Sequence, residues 1–104
     1  MAIRLVHTAP LLLAAVMLAT QAAPAADPEV RRTIDRGLEW LASQQSRLGH
    51  WSAANNRYPT AMTAMAGLTL LCEGSTTTQG KYAGNIRRAV DYLVGRSRAN
   101  GLIG

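Results

Sequence analysis

The chain has 104 residues and a formal net charge of +5, with 48% hydrophobic and 16% charged residues and one cysteine. That is room for at most one small domain, and the composition excludes a collagen-like or wholly disordered chain. One cysteine excludes an internal disulfide and a cysteine-rich metal site. Phe is absent and the aromatics are Trp40, Trp51, Tyr58, Tyr82 and Tyr92, too few for an aromatic-rich β-sandwich core.

Residues 1–26 read as a secretory signal. Arg4 supplies a positive start, residues 11–19 (LLLAAVMLA) an apolar run, and Ala23-Pro24-Ala25-Ala26 the small residues of a cleavage site. The apolar run is about half the roughly 20 residues that a spanning helix needs, so no permanent membrane anchor is expected. The expected destination is the periplasm or the extracellular space. In such an oxidising compartment Cys72 is an odd cysteine. It lies in an apolar stretch and reads as a small buried residue rather than a reactive thiol.

Three helices are expected in residues 27–104. In the first, over 28–46, Asp27 serves as cap and Pro28 opens the first turn, while Val30, Ile34, Leu38 and Leu41 recur at helical spacing. The second, over 59–73, is apolar nearly all round, with Met62, Ala64, Met65, Gly67, Leu68 and Leu70 among its residues and Gly74 placed to end it. Such a helix needs cover on every side, which two amphipathic neighbours cannot supply. The third, over 82–98, presents Ile86, Ala89, Val90, Leu93 and Val94 as its apolar face.

A shift of 52 residues lays the first helix on the third. Ile34 falls on Ile86, Arg36 on Arg88, Gly37 on Ala89, Leu38 on Val90, Glu39 on Asp91, Trp40 on Tyr92 and Leu41 on Leu93. Beyond the helices Gly49 falls on Gly101 and Trp51 on Ile103. A period near 50 residues built from two helices is the mark of a repeat architecture, here one full unit and half of the next.

The first unit carries a more specific pattern in Arg36, Gly37, Trp40, Leu41, Gln45, Gly49 and Trp51. Their spacing resembles the QW motif of terpene cyclases and the prenyltransferase/squalene oxidase repeat. In the second copy Ser97 stands in place of Gln and Ile103 in place of Trp. The resemblance extends over residues 28–104 and implies an all-α fold, an α/α toroid with helices one and three outer and the apolar helix two inner. The chain would then be the N-terminal, apparently truncated part of a larger toroid. The resemblance also implies that the motif residues are structural. The Gln amide would satisfy backbone groups left over at a helix end, with the Trp ring packed above it.

The sequence offers no catalytic group in this segment. Asp27, Asp35 and Asp91 are never clustered into the Asp-x-Asp-Asp that cyclases use, and Cys72 and His50 have no companion for a prenyltransferase zinc site. No cofactor or metal is therefore expected. His50 reads as loop packing, and Trp40 and Tyr92 as core packing at the repeat's aromatic position. Arg87, Arg88, Arg96 and Arg98 read as a solvated outer face interrupted by Asp91, so no nucleic-acid partner is expected. Met62 and Met65 are the candidates for lining an apolar cavity, as inner helices do in a toroid. The leading expectation is an exported, non-catalytic binding or scaffolding module. Its partners would be the remaining repeats of a longer chain or further copies of itself, and it could take an apolar ligand. The alternative is the opening segment of a terpene cyclase or prenyltransferase-like enzyme whose catalytic residues lie downstream.

Overall fold

The computed structural model describes residues 27–104. The export signal expected over 1–26 lies outside the described residues. By contacts the chain divides at Arg31: Met1–Arg31 contributes the first turn of a helix, and Arg32–Gly104 is the compact unit that carries the core. Three α-helices occur among the described residues, α1 (Pro28–Ser43), α2 (Pro59–Cys72) and α3 (Ala83–Gly95), with a short 3-10 turn at Ala54–Asn56. Pairing of strand type is confined there to two isolated bridges, Ala53 with Arg57 and Ser97 with Ile103. The fold is all-α.

Local chemistry sets the helix ends. Asp27 Oδ1 accepts the Glu29 amide at 2.9 Å, a side-chain cap ahead of Pro28 at the first helical position. At the other end α1 stops at Ser43, three residues short of the expected boundary. Gln44 and Gln45 there turn their amides to the carbonyls of Leu41 and Ala42 in a tightened last turn. α2 also begins with proline at its first turn, and its chain leaves past Gly74, whose amide bonds the Leu71 carbonyl. α3 ends at Gly95, before the expected Arg98, in a turn of the same kind.

The core is one cluster formed by Leu38 of α1, Ala66 and Leu70 of α2, Ile86 and Ala89 of α3, and Trp51 and Tyr82 from the connections. Leu41, Ala42 and Met62 pack against it. Small residues bring α2 and α3 together, for a Cβ built on Gly67 would lie 3.7 Å from that of Ala89. α2 turns only Thr63, Ala66, Gly67 and Leu70 inward. Ala61, Ala64, Met65, Leu68 and Leu71 are exposed and take no part in the core cluster. Cys72, expected to be buried, is exposed at the end of that open side. Between Ser75 and Tyr82 the chain is organised by the buried Ser75 hydroxyl, which donates to Glu73 Oε2 at 2.6 Å and accepts the Tyr82 amide at 3.2 Å.

Candidate functional site: the Gln45–Trp51 clamp

Gln45, Gly49 and Trp51 come together where α1 ends. The Gln45 amide donates to the carbonyls of Gly49 and Asn85, each at 2.9 Å. Its carbonyl oxygen accepts Asn85 Nδ2 and Arg88 Nη2, each at 2.8 Å. One side chain thus holds its own turn and the first turns of α3. Asn85 Nδ2 also donates to the Ala42 carbonyl at 3.3 Å, and Trp51 Nε1 donates to the Leu41 carbonyl at 2.7 Å. The Leu41 and Ala42 carbonyls, which already take the Gln44 and Gln45 backbone amides, thus also accept Trp51 and Asn85, whereas the Gln45 side chain reaches across to α3.

Trp51 is 4% exposed. Its backbone amide donates to Thr63 Oγ1 at 3.0 Å, so this hydroxyl, wholly buried on α2, fixes the residue from the other side. Gly49 has a φ of +93°, and a Cβ there would lie 2.5 Å from the Arg88 carbonyl oxygen. Both the left-handed backbone and the close approach to α3 require glycine. His50 is half-buried, with Nδ1 2.8 Å from Ser46 Oγ and its ring stacked on Tyr92 at 4.9 Å.

The remaining motif residues are not in the clamp. Gly37 has open space where a Cβ would lie, and Arg36 is exposed. Leu41 packs on the core. Trp40, expected in the core, is 64% exposed. It lies roughly 160° around α1 from Leu38, given about 100° per residue, and only the Leu38 side faces the core. Trp40, Trp51, His50, Gln44, Asn56 and Met62 are among the residues around an open cavity of about 440 Å³. Met65 is exposed. Asn85, Thr63 and Ser75 escaped the sequence reading. Thr63 is one of three threonines in an otherwise apolar helix, with Thr60 and Thr69, and nothing in the sequence singles it out.

The turn after α1 recurs after α3 bond for bond. Gln44 N to Leu41 O, Gln45 N to Ala42 O, Ser46 N to His50 O and Gly49 N to Ser46 O are matched by Arg96 N to Leu93 O, Ser97 N to Val94 O, Arg98 N to Leu102 O and Gly101 N to Arg98 O. Gly101, like Gly49, is left-handed, at φ +85°. Ser97, in place of Gln45, reaches only the Val94 carbonyl three residues earlier, at the end of α3.

The arginines on and just after α3 are engaged locally: Arg88 on Gln45, Arg87 on the Thr77 carbonyl at 3.3 Å, and Arg96 over the Tyr92 ring. Beyond the helix Arg98 bonds the Gly104 carbonyl. Lys81 and Glu39 form an exposed ion pair tying the start of α3 to α1. Hydrogen bonding to Lys81, and then its charge, hold the Glu39 carboxyl below its ordinary value. Among the described residues no three of His, Cys, Asp and Glu converge as a metal site, and no helix is long and apolar enough to cross a membrane. No family model matches the chain, nor does any curated protein or solved structure.

Proposed function

We propose that residues 27–104 are one and a half α/α hairpins of the prenyltransferase/squalene oxidase repeat type, part of an α/α toroid. In this reading they form an exported, non-catalytic binding or scaffolding module with residues 1–26 as its cleaved signal. The supporting observation is the recurrence of one hydrogen-bonded turn after 52 residues, with Gln45 reaching from the first copy to the helix that opens the second. Repeats that stack need such a fastening, because each buries its apolar surface only against its neighbours. Polar groups of this site are spent on backbone carbonyls and on one another, which suits a structural joint better than a reacting centre.

A double-mutant cycle tests the joint. Gln45→Ala and Arg88→Ala in the full chain should couple, the pair costing less than the sum of the singles by about 0.5–3 kcal/mol in equilibrium unfolding. Strict additivity would remove Gln45 as the fastening between repeats. Intact-mass measurement of the exported protein should find Ala26 or Asp27 at the N-terminus, and a retained Met1 would refute the signal. Turnover of squalene or a prenyl diphosphate by the chain would replace the scaffold with the enzyme reading.

A further inference from the structure

Packing in the core does not account for Trp40, whose ring stands open on α1 beside the cavity of about 440 Å³. That volume falls within the roughly 300–1,000 Å³ of small-ligand clefts. Gln44, Ser46, His50, Asn56 and Met62 share the lining with it, and the buried Trp51 contributes a fixed wall. No Asp, Glu, Lys or Arg lines the cavity, so the chain's positive charge lies elsewhere.

Each side of this site is held by its local structure. The Gln44 backbone amide bonds the Trp40 carbonyl at 3.2 Å, so the two side chains stand one helical turn apart on the same flank. After Trp51 the chain is folded back by the bond from the Ala53 amide to the Arg57 carbonyl at 2.8 Å. Within that fold Asn55, Asn56 and Tyr58 have φ of +60°, +56° and +54°, a left-handed conformation that asparagine tolerates and tyrosine resists. Ser52 Oγ donates to Asn56 Oδ1 at 3.3 Å, and the Asn56 NH2 group has no partner among the described residues. The Gln44 NH2 group meets Ser43 Oγ at 3.3 Å, and its carbonyl oxygen likewise has none there. The His50 ring is fixed between Ser46 and Tyr92.

An ion would find no counter-charge in this lining. A wholly apolar ligand would strip water from Gln44, Ser52 and Asn56 without replacing its hydrogen bonds. What fits is a neutral molecule with one apolar face and hydroxyls around its edge. A pyranose ring has that form: its C–H face packs on an indole, and its hydroxyls both donate and accept, as Asn56 and Gln44 respectively require. We propose that this cavity binds a neutral saccharide, with one ring stacked on Trp40 and its hydroxyls bonded to Gln44 and Asn56. Every lining residue falls between Trp40 and Met62, so the inference goes beyond the repeat reading and does not rest on it.

The test is saturation-transfer NMR on the full chain with cellobiose, maltose, lactose and N,N′-diacetylchitobiose. At least one should give a saturable signal with a Kd on the order of 1 mM, strongest on the C–H protons of one ring face. Trp40→Ala should weaken it at least tenfold, and Gln44→Ala and Asn56→Asp severalfold each. All three side chains are exposed, so the variants should keep their helical circular dichroism and melting transition. No saturable signal from any of the four sugars, or an equal signal from glycerol, would overturn the proposal. So would binding that Trp40→Ala leaves intact, which would put the sugar elsewhere. Nile red bound in a Trp40-dependent manner with no sugar binding would make the cavity an apolar site. A full-chain dimer that Trp40→Ala dissociates, again without sugar binding, would make it an interface between copies, and either result would overturn the choice of ligand.

Discussion

Replacing Gln45 by glutamate keeps the shape of the side chain but removes the NH2 group shared by the carbonyls of Gly49 and Asn85. A carboxylate would then face two carbonyl oxygens, with only the Arg88 and Asn85 contacts still favourable. Gln45→Glu should therefore cost about 1–3 kcal/mol, the penalty for leaving partly buried groups unpaired, read by urea unfolding at neutral pH. Trp51→Ala should cost about 3–5 kcal/mol as a buried aromatic lost from the core. Trp51→Phe should restore most of that and lack only the bond to the Leu41 carbonyl. Tyr92 supplies the opposite case, since its hydroxyl is buried with no hydrogen-bond partner among the described residues. Tyr92→Phe should leave the melting temperature unchanged or raise it, while keeping the ring stacked on His50. Motif spacing made Gln45, Gly49 and Trp51 legible in the sequence. Asn85 and Thr63 were not, because their partners lie 40 and 12 residues away and a lone polar residue on a helix looks the same whether it faces water or a buried amide.

At the level of elements, helix identity was readable from apolar spacing, the Asp27-Pro28 start and the Pro59 start, and the ends were less so. α1 ends early because the amides of Gln44 and Gln45 are drawn into the turn that positions the clamp. Trp40 and Cys72 mark the limit of periodicity, which says that a face is apolar but not whether anything lies against it. The Glu39–Lys81 pair links α1 to the start of α3 and gives a signed pH dependence. A carboxyl held below its ordinary 4.5 contributes stability above that value and loses it as acid protonates it in the folded state. Hydrogen bonding to Glu39 raises Lys81 above its ordinary 10.5, so its share is present below that value and lost as alkali takes the proton. Glu39→Gln should therefore slightly lower the melting temperature near neutrality and flatten its fall in acid. Both groups are exposed, so the difference should shrink in molar salt.

For the molecule as a whole, an uncovered apolar flank on α2 and α3 sets the solution behaviour. On the proposed repeat reading one and a half units are described, and stacked repeats need about three to bury a continuous core. Purified chain should associate as its concentration rises, or unfold over a broad range, and sedimentation with circular dichroism will tell. A monomer with a sharp transition would mark a self-sufficient three-helix domain. The clamp also has a consequence in time. Gln45 and Asn85 are separated by 40 residues, and their geometry requires both helix ends to be in place. Such a long-range bond is expected to be absent from the folding transition state. Gln45→Ala should accordingly steepen the rate of unfolding and leave refolding nearly untouched in a chevron experiment. On that view the Gln45 clamp between α1 and α3 acts as a latch: it does little to hasten the native state, and it governs how long that state lasts.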